Sequence, residues 1–97
     1  MLICKVVGHV WATKKEEGLN GLKMMVVQEI DGAGRKKGNV FVAADIVGAG
    51  VGEEVLTVSG STARKIVGSD TVPVDAAIVA IIDTLEVERE KAAGRNE

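Results

Sequence analysis

The chain has 97 residues, enough for one domain but too few for a large core, so its stability is marginal unless something supports it. A net charge of −2 gives no electrostatic case for nucleic acid or for an acidic substrate. The single cysteine, Cys4, excludes an internal disulfide and points to a reducing, cytoplasmic setting; no run approaches the ~20 apolar residues of a membrane span.

The start, MLICKVVGHV, has no basic stretch before its apolar part and carries Lys5 within it, so it does not read as a secretion signal. Cys4 sits too close to Met1 for a lipidation signal. Tyrosine is absent, and Trp11 and Phe41 are the only aromatic residues. Valine and isoleucine supply the bulk instead, which favours strands, because β-branched side chains fit a pleated surface.

Short apolar runs broken by glycine and charge predict five strands. The first spans Leu2 to Trp11, and a polar connection runs from Thr13 to Asn20. The second spans Leu22 to Ile30. Asp31 to Asn39, DGAGRKKGN, reads as a solvated hairpin loop. The third strand spans Val40 to Val47 and the fourth Glu53 to Ser59, with GAGVG between them. GSTARKIV predicts a short helical turn capped by Ser61 or Thr62. A loop containing Pro73 leads to the fifth strand, Ala76 to Val87. The expected fold is all-β: a small five-stranded barrel of OB type, closed or partly closed, with a short helical insert. Residues 1–88 form the domain and residues 89–97 a polar tail or short terminal helix.

The fifth run is apolar on both faces. Ala77, Val79, Ile81, Asp83 and Leu85 alternate with Ile78, Ala80, Ile82 and Thr84. A barrel interior accepts only one face of a strand, so the other is expected to meet a second subunit. That makes Ile78 and Ile82 candidate interface residues. Cover by a loop or a terminal helix is the alternative.

Little in the chain suggests chemistry. Cys4 and His9 lie five apart on one strand, so their side chains are expected on opposite faces unless Gly8 permits a bulge. One histidine and one cysteine are poor material for a metal site. Glu53 and Glu54 diverge across a strand, while Asp45, Asp75 and Asp83 lie in or beside apolar runs, as loop or interface carboxylates do. No catalytic set, cofactor site or metal site is expected.

The run GAGVGE, Gly48 to Glu53, poses the sharper question. A dinucleotide fingerprint needs G-x-G-x-x-G between a strand and a helix. Here the spacing is G-x-G-x-G, and the next segment, EEVLTVS, alternates as a strand. No P-loop lysine is present either. The glycines read as a backbone device that allows positive φ and close approach of neighbouring chains. A five-stranded barrel can also bind single-stranded nucleic acid, but such surfaces need aromatic platforms and a basic groove. Arg35, Lys36 and Lys37 are a local basic cluster of the kind that is usually solvated.

Three segments, in order, resemble the vertex proteins of bacterial microcompartments, the EutN/CcmL family. "GHVWATKKEEGLNGLKMMVVQEID" carries Gly8, Val10, Ala12, Thr13, Lys15, Leu19, Gly21 and Lys23 in the family's pattern. "AADIVGAGVGEEVLTVSGSTAR" and "PVDAAIVAIID" resemble its later motifs, and the likeness runs from Met1 to about Glu88. Thr62 stands where serine is usual, Met24 and Met25 where leucines are, and Trp11 where a smaller aliphatic residue is.

The resemblance implies a structural shell protein in the cytoplasm. Its barrels would form a five-fold ring at the corners of a polyhedral shell and contact hexameric and trimeric shell proteins. Gly48, Ala49, Gly50, Gly52 and Glu53 would form an assembly loop near the ring axis. A small barrel binding nucleic acid or a phosphorylated metabolite is the alternative.

Overall fold

The computed structural model describes residues 1–12, 17–19, 21–68 and 72–83. Five strands, β1 (Leu2–His9), β2 (Lys23–Ile30), β3 (Lys36–Asp45), β4 (Glu54–Ser59) and β5 (Ala76–Ile81), close a barrel in the order β1-β2-β3-β5-β4. All neighbours are antiparallel except β3 and β5, which pair in parallel through Ala44–Ala77 and Asp45–Ile78. Among the described residues one helix, α1 (Gly60–Val67), comes directly after β4, and Glu17–Leu19 form a 3-10 turn. Closure removes the free sheet edges that a small open sheet would expose.

The barrel interior is filled by alternate residues, as the two-residue period of a strand requires. Cys4, Val6, Met25, Val27, Ala43, Val55, Ala76 and Ile78 make one cluster, with Phe41 and Ile81 against it. Only one aromatic ring is needed, because branched aliphatic side chains fill so narrow a space.

β3 starts four residues earlier than the apolar pattern suggests. Lys36–Asn39 read as loop because all four are exposed and polar or glycine. They pair nonetheless, because the Asp31 carboxylate closes a tighter turn. Its Oδ1 accepts from the Ala33 and Arg35 amides, both at 2.9 Å, and its Oδ2 from Arg35 Nε at 3.2 Å. Beyond the turn the pairing slips between Gln28 and Ile30. Buried Gln28 fills that irregularity by donating from Nε2 to the carbonyls of Glu29, Lys37 and Gly38.

The helical insert also begins earlier than expected. Ser59 is the N-cap residue, in extended conformation and without a side-chain capping bond, so neither Ser61 nor Thr62 is the cap.

β5 differs most from expectation. Its second apolar face is covered within the same chain: Ala77 packs with Val58 and Ala63 of α1, with Val67 and Val79 against them. An irregularity opposite Leu56 and Thr57 then breaks the alternation, so Ile78 and Ile81 reach the same cluster. The strand ends at Ile81; residues 84–87 of the expected strand and the 89–97 tail lie outside the described residues. Ile78 is 0% exposed and belongs to the core, not to an interface surface.

Candidate functional site: the glycine-rich loop

β3 ends at Asp45, and that residue organises the loop beyond it. Its side chain is fully buried and accepts three consecutive backbone amides: Val47 and Gly48 at Oδ1 (3.0 and 3.1 Å) and Ala49 at Oδ2 (2.8 Å). Lys23, opposite Asp45 in the β2–β3 register, places Nζ 3.5 Å from Oδ2 and donates to the Ala49 carbonyl at 3.2 Å. A buried carboxylate is tolerable only when paired and hydrogen-bonded in this way. Ala49 is drawn fully into the core.

The second half of the loop is a turn closed on itself. Gly50 N donates to Glu53 Oε1 at 2.6 Å, and Glu53 N donates to the Gly50 carbonyl at 3.1 Å. Two further bonds stitch the loop to β1: Gly52 N to Val6 O at 2.8 Å and Val6 N to Glu53 O at 2.9 Å. Gly48 (φ 80°) and Gly52 (φ 96°) occupy the left-handed region, which explains glycine at both.

Gly50 has no such requirement. It lacks positive φ, and a Cβ there would meet only Glu53 Oε1 at an ordinary 3.6 Å. Nothing among the described residues explains that glycine.

This arrangement answers the phosphate question. An anion cradle needs N–H groups free to donate. Here the four consecutive amides from Val47 to Gly50 already donate to carboxylates, and a phosphate would have to displace Asp45 or Glu53 while lying beside negative charge. Besides Glu53, what the loop offers outward is apolar: Ile46, Val47 and Val51 are all exposed.

The structure thus brings Gly48, Ala49, Gly50, Gly52 and Glu53 together in one loop. Ile82, half-buried, joins its far end by donating its amide to Glu54 O at 2.8 Å. Asp45, Lys23 and Val6, which anchor the loop, were not among the expected loop residues. Asp45 had a local signal, an Asp with three residues beyond it ready for its side chain, as in Asx-turns. Lys23 had none, because its role depends on strand register.

Cys4 and His9 do not meet. The β1 register does shift between Val6 and Gly8, so simple alternation fails there. Cys4 is nevertheless in the core, with Sγ 3.6 Å from Thr57 Oγ1, whereas His9 is exposed and its ring centroid lies 5.9 Å from that of Trp11. Burial pushes the Cys4 thiol above its ordinary value. Beside Trp11 is an open cleft of ≈ 280 Å³ lined by His9, Val10, Trp11, Ala12, Leu22, Lys23 and Met24.

A sequence profile of the family described as "Ethanolamine utilisation protein EutN/carboxysome" matches residues 1–83. The carboxysome shell vertex protein CcmL of Synechococcus elongatus is 48% identical over 97 residues, spanning 100% of this chain and 98% of that protein. The chain belongs to the EutN/CcmL family. Its fold agrees with solved members. The CcmL of Nostoc sp. PCC 7120 superposes with a TM-score of 0.84 at 48% identity, covering 91% of this chain and 93% of that one. A GrpN pentameric microcompartment shell protein from Rhodospirillum rubrum superposes at 0.81 with 40% identity, covering 90% and 99%. The family likeness and the OB-like barrel expected from the sequence are both borne out.

Proposed function

We propose that this protein is a shell vertex protein: five copies close a ring that caps a corner of a polyhedral bacterial microcompartment in the cytoplasm. The observation that carries this reading is the match, over nearly the full length of both chains, to a shell protein that is pentameric. The role is geometric rather than catalytic. Flat layers of six-fold tiles cannot close, and five-fold units supply the curvature, so the partners are further copies of this chain and the hexameric and trimeric shell proteins around them.

Within that ring, Gly48, Ala49, Gly50, Gly52 and Glu53 form the assembly loop, with Ile82 beside it. Gly50 supports the assignment, because its lack of a side chain serves nothing among the described residues of the protomer and suits a site where another backbone approaches. Residues 1–88 are the ring-forming unit and residues 89–97 a polar tail. Native mass spectrometry of the purified protein tests the reading. A pentamer, and closed shells on co-expression with hexameric and trimeric shell proteins, are expected; a stable monomer overturns it.

A further inference from the structure

Trp11 is 88% exposed, the most exposed of the large apolar residues among the described residues, on a chain with no other tryptophan and no tyrosine. An aromatic side chain of that size left in water forgoes a large burial gain, and exposed apolar surface beside a cleft marks an interaction site. Val10, Leu22 and Met24 give the cleft an apolar lining, with His9 and Lys23 at its polar side. Lys23 also fixes its position relative to the glycine-rich loop, because the same ammonium group donates to the Ala49 carbonyl. Cleft and loop are therefore adjacent parts of one end of the barrel.

A cyclic ring is built head to tail, so each protomer must present two different, complementary surfaces. One end of this barrel offers both a recess and exposed apolar side chains. The recess is the Trp11 cleft. The side chains are those of the loop, Ile46, Val47 and Val51, with Val51 exposed at 55%. If the loops converge around an axis, the surface beside one protomer's loop is where the next protomer's loop arrives. On that basis, and resting on the ring reading above, we propose that the Trp11 cleft is a socket that receives the 46–51 loop of the adjacent copy, with Val51 as the inserted side chain. Trp11 is then the aromatic anchor of the ring contact, the kind of residue on which interface energy concentrates.

The chain carries its own probe, since Trp11 alone accounts for tryptophan emission. Emission and acrylamide quenching are followed across a dilution series of the full chain, with oligomeric state read in parallel by native mass spectrometry. The expected result is a blue shift and protection from quencher that appear together with the pentamer. Val51→Asp is expected to keep Trp11 quenchable and the chain monomeric, with an unchanged circular dichroism spectrum. Trp11→Ala is expected to raise the concentration at which the ring dissociates by roughly tenfold or more, the effect of losing an interface hot spot. A pentamer in which Trp11 stays fully quenchable overturns the socket while leaving the vertex function standing. So does protection that appears only on adding hexameric shell proteins, which would make the cleft a tile-facing surface. A chain that never forms a ring overturns both.

Discussion

Lys23 Nζ stands between two loop acceptors, 3.5 Å from Asp45 Oδ2 and 3.2 Å from the Ala49 carbonyl. The pair is asymmetric: the Asp45 side chain is fully buried, while that of Lys23 is 49% exposed. Removing the carboxylate leaves three amides without their acceptor, whereas removing the ammonium leaves the carboxylate its three N–H donors. Asp45→Ala is therefore expected to cost ~2–4 kcal/mol, a large part of a small domain's stability. Lys23→Ala should cost less than half of that, because a half-exposed cation retains much of its hydration. Urea denaturation of both variants checks the order; equal losses would mean that the amide bonds to Asp45 contribute little.

Gly48 and Gly50 are two residues apart and are expected to behave oppositely. Gly48→Val forces a branched residue to φ near 80°, a strained conformation costing about 1–3 kcal/mol, so the barrel itself is weakened. Gly50→Val meets no such strain, and its Cβ meets only Glu53 Oε1 among the described residues, at an ordinary 3.6 Å. The protein should keep its circular dichroism spectrum and lose the ring. Thermal denaturation and size-exclusion chromatography, run side by side, separate the two effects. A Gly50→Val protein that unfolds, or that assembles normally, removes the loop from the ring contact.

The two apolar faces of β5 make a third test. Ile78 fills the barrel and Ala77 lies under α1, so both are internal to one chain. Ile78→Asp and Ala77→Asp should each give unfolded protein, since a buried unpaired carboxylate costs several kcal/mol. Ile82 lies past the end of the strand, is half-buried, and donates its backbone amide to Glu54 O. Ile82→Asp should remain folded and lower the pentamer fraction. Folded Ala77→Asp protein would show that α1 does not seal that face.

The closed barrel was legible because its strands obey simple rules: β-branched runs of the right length, separated by glycine and polar turns. The loop itself stood out through glycine spacing that fits no nucleotide template. What the sequence hid depends on register and on long-range pairing. Lys36–Asn39 look like loop until Gln28 is seen holding their carbonyls. The double-sided apolarity of β5 is the same whether a helix or a second subunit covers it, and only the packing of Ala63 against Ala77 decides. Trp11 was visible as an oddity, but its exposure and the cleft beside it arise only when β1 and β2 are placed together.

Cys4 should be inert in the native protein. Burial raises its pKa above the ordinary 9.0; the Thr57 hydrogen bond opposes this, and the Glu29 charge adds to it. The native state thus holds the thiol proton more tightly than the unfolded chain. That contribution is complete below 9.0 and is lost as pH rises through the higher folded value. At neutral pH, alkylation by iodoacetamide should proceed only at the rate of global unfolding, accelerating in urea along with the loss of β-sheet signal. Rapid modification of folded protein would contradict the buried placement.

Asp31 is expected to make the hairpin acid-sensitive. Its carboxyl lies below the ordinary 3.8, chiefly because the Arg35 amide donates to it, with the Ala33 amide and the Arg35 guanidinium acting in the same direction. The native state therefore releases this proton more readily than the unfolded chain. The stabilisation is fully present above 3.8 and disappears as pH falls through the lower folded value, where the carboxyl becomes protonated and weakens as an acceptor. Other carboxylates titrate in the same range, so the informative quantity is the difference in urea midpoint between the parent protein and Asp31→Ala. That difference should be constant at neutral pH and shrink below 3.8. Side-chain carboxyl shifts tracked by NMR should place the Asp31 midpoint below that of an exposed aspartate. A midpoint at the ordinary value, with a stability difference independent of pH, would show that the turn owes its closure to Gly34 and backbone pairing rather than to this carboxylate.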